Sequence, residues 1–176
     1  MNAPEATGSE FSRIIDIRHI ADAPVVLEPD AAERRRLAGR FGLSAIDTMR
    51  AEVVLKVDGA VVSATGRIKA AIVQACAISG EDFPVSINEP VALRFVPPAA
   101  PHTPDEEMEI GANECDEIEY EGLTFDLGEA VAQSLALAID PFAEGPDADR
   151  ARKEHNLSGD AASGPFAALD ALRRKD

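Results

Sequence analysis

Three histidines and two cysteines are the side chains best suited to catalysis or metal binding in this chain, and their spacing favours neither. His19, His102 and His155 are far apart, as are Cys76 and Cys115. A structural zinc site needs four nitrogen or sulfur ligands. Cys76-Ala-Ile-Ser79 offers one thiolate where a CxxC would offer two, and Cys115 has no close partner. Catalysis needs a positioned acid, base or nucleophile. The chain has no HExxH, no Ser–His–Asp signature and no glycine-rich phosphate loop. The expectation is therefore a protein that is not an enzyme and that uses no metal and no cofactor. Cys76 reads as a small buried apolar residue at the end of a strand.

Charge offers binding chemistry instead. The 176 residues carry 32 acids and 17 bases, a formal charge of −15. Such a charge repels polyphosphates at long range, so nucleic-acid contact needs a local basic patch. Arg34, Arg35, Arg36 and Arg40 cluster on one predicted helix, and Arg67 and Lys69 share one predicted strand face. These six are the candidate RNA contacts; Arg173, Arg174 and Lys175 form a second basic cluster. The bland reading is a solvated face paired to surplus acids. No aromatic platform accompanies either cluster, which weakens a single-strand reading.

Between Asp105 and Glu121 lie nine acids and no base. Glu106, Glu107, Glu109, Glu114, Asp116 and Glu117 are the candidate surface for a basic protein partner. The bland reading is a long solvated loop. The spacing is not that of an EF-hand.

Two cysteines are too few for a disulfide framework, and a Cys76–Cys115 bond is disfavoured in a reducing compartment. The first ten residues lack the basic region and apolar run of a secretory signal. No apolar run is long enough to span a bilayer. The expected location is the cytoplasm, with no membrane or DNA partner.

The elements that must position these groups follow from periodicity. Residues 13–20 are rich in β-branched side chains and read as a strand. Pro29 suits the first position of a helix over 29–39, with Gly39 and Gly42 as possible stops. Val53, Leu55 and Val57 alternate with Glu52, Lys56 and Asp58, and Asp58-Gly59 signals a hairpin. Val62, Ala64, Gly66, Ile68, Ala70 and Ile72 then share one face. The alternation breaks at Val73–Cys76, suggesting a bulge or a change of environment. Ile87, Val91, Leu93 and Phe95 line the next strand, where Pro90 favours an edge or a bulge. A short strand is expected near Ile118-Glu-Tyr120. Asp126 with Glu129 caps a helix over 126–138, stopped by Pro141.

The expected fold is α+β: an antiparallel twisted sheet from residues 13–20, 51–57, 60–76 and 84–95, packed by one or two helices. A long acidic loop and a flexible tail complete it. Residues 1–10 are expected to be disordered, 11–142 to form a single domain, and 143–176 to be a tail with a short helix near Phe166, Leu169 and Leu172.

Gly66-Arg-Ile-Lys-Ala leading to Cys76, then Phe83-Pro84 and Phe95-Val-Pro97, resembles the central signature of the YceD family of bacterial large-ribosomal-RNA accumulation proteins. Ile118-Glu-Tyr120 and the helix from Asp126 into Ile139-Asp-Pro141 resemble its second block. Pro165-Phe166-Ala-Ala-Leu169 with a basic end resembles its closing segment. Many relatives carry CxxC where this chain has Cys76-Ala-Ile-Ser79, so any metal role in those relatives does not transfer. The resemblance implies a non-enzymatic role in 23S rRNA accumulation or processing and in large-subunit assembly. With that role, the acidic surface is expected to engage a ribosomal protein or an assembly intermediate, and the Arg34–Arg40 cluster is the candidate for direct 23S rRNA contact. A dedicated chaperone for one basic ribosomal protein, without RNA contact, is the alternative.

Overall fold

The structure, a computed structural model, describes residues 10–98, 117–155 and 157. Its elements run β1 (Ile14–Asp16), a 3-10 turn (Ile17–His19), β2 (Val25–Leu27), α1 (Ala31–Phe41), β3 (Ala45–Asp58) and β4 (Val61–Ala75). They continue with β5 (Asp82–Val96), β6 (Glu117–Glu119), β7 (Thr124–Asp126), α2 (Leu127–Ala138) and α3 (Ala148–Glu154). The fold is α+β with a mostly antiparallel, twisted sheet. The chain divides into two compact units, one holding residues up to Gln74 and Pro84–Asp140, the other Ala75–Phe83 and the chain from Pro141.

Three long strands dominate the first unit. In β3, Met49, Ala51, Val53 and Leu55 are buried while Arg50, Glu52, Val54 and Lys56 are exposed. Gly59, at φ 61°, turns the chain, and β4 returns antiparallel from Val61 opposite Asp58. The main sheet has the order β2-β3-β4-β5-β6. β6 is parallel and pairs only with Arg94–Val96. Pro90, which has no N–H to give, therefore lies on a part of β5 that β6 does not reach.

The inward rows meet α1 and α2 in one core. Leu37 from α1, Leu127, Val131 and Leu135 from α2, and Val53, Val62, Ile68, Ile72 and Phe95 from the strands all belong to it. Phe95 stacks on Phe125 with ring centroids 4.0 Å apart. α1 packs against β3. Its N-cap is Asp30, which accepts from the N–H groups of Ala32 and Glu33, while the Glu33 carboxylate accepts from the Asp30 N–H. α1 thus begins just beyond Pro29 and ends at Gly42, in the left-handed region at φ 67°. α2 starts after Asp126, whose carboxylate accepts from the Glu129 N–H.

Several elements depart from the sequence expectation. Residues 13–20 hold only a three-residue strand, because the Asp16 carboxylate accepts from the Arg18 N–H and the chain turns. β1 pairs with β7, in register Ile14↔Asp126, as a separate two-stranded sheet. β3 begins at Ala45 rather than 51, and the register shift lies between Ile46 and Thr48, not at Val73–Cys76. The alternation of β4 continues through Ile72 and Gln74, both buried. The Gln74 amide donates to the Asp140 carbonyl at 3.1 Å, so a polar residue occupies an inward position with its hydrogen bond made.

In the second unit Cys76 opens a tight turn. Its N–H donates to the Glu81 carbonyl and its carbonyl accepts from the Gly80 N–H, both at 2.9 Å. α3, absent from the sequence reading, carries Arg150, paired with Glu81 and Asp147, and Arg152, paired with Glu144. The predicted helix around Phe166–Leu172 lies outside the described residues.

Candidate nucleic-acid interface

The hairpin fixes which charges share a face. A two-residue loop between Asp58 and Val61 sets the β3–β4 register, placing Arg50 opposite Lys69 and Glu52 opposite Arg67. Period two then puts all four on the outward side. Like charges directly opposite destabilise a sheet. Arg50 is answered by Glu28, and Glu52 lies 3.9 Å away. Lys69 has no ion pair among the described residues.

A groove of about 730 Å³ is lined by Glu28 and Arg34, by Thr48, Arg50, Lys69, Ser86 and Asn88, and by the inward-row residues Met49, Ala70 and Ile87. A second, of about 500 Å³, shares Arg50 and Lys69 and adds Glu52, Arg67 and Gly66. Arg34 is held at the rim by a hydrogen bond to the Pro29 carbonyl at 2.9 Å. Arg67 donates to the Asn88 side-chain oxygen at 3.2 Å. Gly66 is needed where β4 crosses β3 closely, since a Cβ there would sit 2.0 Å from the Glu52 carbonyl oxygen.

The six basic candidates thus separate. Arg34, Arg67 and Lys69 converge on the grooves and hold no carboxylate among the described residues. Arg35 is exposed on α1, and Arg36 donates to the Glu10 carbonyl at 3.3 Å. Arg40 is engaged elsewhere, in a bidentate pair with Glu129 at 2.9 and 2.7 Å and a further contact to Glu10 at 3.0 Å. Those carboxylates raise its pKa further above the ordinary arginine value. Arg50 is the cation that sequence reasoning missed, and the Asp58-Gly59 signal could have found it, since it fixes the rung that Arg50 shares with Lys69. Among the acidic candidates, Glu117 pairs with Arg94 at 3.0 Å. Glu106, Glu107, Glu109, Glu114 and Asp116 lie outside the described residues.

The family described as Large ribosomal RNA subunit accumulation protein YceD matches residues 64–173, more than half of the chain. The chain belongs to the YceD family. The family's description points to involvement in the accumulation of large-subunit ribosomal RNA. No curated protein and no solved structure matches the chain. The YceD match takes in Gly66, Arg67 and Lys69 on β4 and all of α2, and leaves Arg34 and Arg50 before its start.

Cys76 also lies within the YceD match. The residue is buried, 3% exposed. The backbone N–H groups of Ile78 and Ser79 point at Sγ from 3.4 and 3.3 Å. Hydrogen bonding from the Ser79 side chain and N–H, with help from Gly145 and Ile78, outweighs burial and lowers the thiol pKa to about 7. Among the described residues no group of three or more His, Cys, Asp or Glu is placed to hold a metal ion.

Proposed function

We propose that this YceD protein is a non-enzymatic factor that promotes accumulation and processing of 23S rRNA, and so assembly of the large ribosomal subunit, in the bacterial cytoplasm. It acts by binding a ribosomal protein, rRNA or both. Family membership over residues 64–173 carries the reading. Two grooves that share Arg50 and Lys69, one reaching Arg34 and the other Arg67, support direct RNA contact within it.

Gene deletion followed by rRNA quantification and sucrose-gradient profiling tests the proposal. Loss of 23S rRNA or accumulation of immature large subunits, with 16S spared, is the expected result. Normal particles and normal 23S would overturn it.

The formal charge of −15 favours a second reading, a chaperone for one basic ribosomal protein that makes no RNA contact. It predicts a stable complex with that protein and no salt-dependent binding to polynucleotides.

A further inference from the structure

We propose that the outward face of β3, β4 and β5 binds the ribose-phosphate backbone of double-stranded RNA, with Arg67 and Lys69 on phosphates, Arg50 beside them and Arg34 reaching in from α1 through the groove it shares with Lys69. This deepens the reading above and rests on it for the identity of the RNA as ribosomal.

The first argument is charge. Acids outnumber bases 32 to 17, and among the described residues Arg13, Arg18, Arg40, Arg50, Arg94, Arg150 and Arg152 each take a carboxylate. Arg34, Arg67 and Lys69 do not, and they line two grooves that share Arg50 and Lys69. Arg50 is already answered by Glu28 and Glu52, so Lys69, opposite it on the same rung, is the cation of that pair left for a phosphate.

The second argument is what the face lacks. Its lining holds no aromatic ring, so bases have nothing to stack on. Single strands are gripped largely by such stacking, whereas RNA duplexes are read through phosphates and 2′-hydroxyls. Thr48, Ser86 and Asn88 line the groove beside the cations and supply donors and acceptors suited to a hydroxyl. Arg67 and Lys69, two apart on one strand, have Cα atoms about 7 Å apart, so their side chains can reach the phosphates of one backbone.

The test uses the purified full-length chain and fluorescence anisotropy. The probes are an RNA duplex of about 16 bp, the same sequence as single-stranded RNA, and the matching DNA duplex. The RNA duplex should bind at least about tenfold more tightly than either alternative, with a Kd near 10⁻⁵ M at moderate salt. Three to four phosphate contacts should give a log–log salt slope of about −3. The double variant Arg67→Gln, Lys69→Gln should flatten that slope by about 2, and Arg35→Gln should leave it unchanged. Circular dichroism checks that each variant folds, and the wild-type slope stands independently of them. Absence of duplex binding, equal binding to single-stranded RNA or DNA, or an unchanged slope in the double variant would overturn the proposal. If the duplex site fails while deletion still lowers 23S rRNA, this inference falls and the broader function stands. Duplex binding with normal 23S levels would overturn the ribosomal assignment alone.

Discussion

Arg50 and Lys69 occupy one rung of the β3–β4 ladder, two cations directly opposite each other in a chain with nearly twice as many acids as bases. Opposed like charges cost a sheet a few tenths of a kcal/mol. Glu28 and Glu52 offset part of that cost at Arg50, so Lys69→Thr should raise stability by only about 0.2 kcal/mol while weakening RNA binding. Urea unfolding measures the first and anisotropy the second. A destabilised Lys69→Thr protein would show that Lys69 supports the fold.

Arg40 should behave in the opposite way. It ties α1 to α2 through Glu129 and reaches Glu10 as well. Both partners of the helix pair are only partly exposed, and the geometry is bidentate, so the coupling lies near the upper end for surface pairs. A double-mutant cycle of Arg40→Ala and Glu129→Gln should return about 0.5–1 kcal/mol. RNA binding by Arg40→Ala should match the wild type. A coupling indistinguishable from zero would mean that the pair does not hold the helices.

Gly66→Ala should be far more damaging than its size suggests. The new methyl group would meet backbone atoms, the Glu52 carbonyl oxygen at 2.0 Å and the Val53 Cα at 2.8 Å, neither of which can swing aside. Displacing two paired strands should cost about 2–3 kcal/mol, the range of an overpacked core. Thermal unfolding decides it, and an unchanged midpoint would contradict the close crossing.

Much of this was legible in the residues, and the failures have physical causes. The hairpin, the inward row of β4 and the α2 cap follow from local rules of period and capping, and they stand in the structure. β3 hides its first residues because the irregularity between Ile46 and Thr48 interrupts the period, and Arg50 lies only two residues beyond it. Gln74 disguises the end of β4 because a polar residue is inward there, bonded to a carbonyl distant in sequence. The separation of Arg40 from Arg34 depends on helix-to-helix packing, which no local pattern encodes. The pairing of β1 with β7 is likewise a contact between opposite ends of the sheet-forming sequence.

Cys76 allows a pH prediction. Its folded pKa, about 7, lies below the ordinary value of 9.0. A depressed value means that the folded state favours the thiolate. The stabilisation is complete above about pH 9, shrinks as the pH falls, and is gone below about pH 7. In a Cys115→Ser background, native-state alkylation of Cys76 should rise with a midpoint near pH 7. The stability difference between that protein and its Cys76→Ser derivative should widen over the same interval. A midpoint near 9 would show that the N–H groups do not hold the sulfur.

The β1–β7 pairing also sets an order of events during synthesis. Ile14 meets Asp126, so the first strand waits while more than a hundred further residues are translated. At elongation rates near 20 residues per second that is about 5 s, and at slower rates about 20 s. Throughout that interval Phe11 and Ile15 have no β7 or α2 to cover them, and the nascent chain presents an apolar N-terminal strand to whatever waits at the tunnel exit. The β3–β4 hairpin, closed by a two-residue loop, can form long before. The basic face is thus assembled early in synthesis, and the N-terminus is locked last.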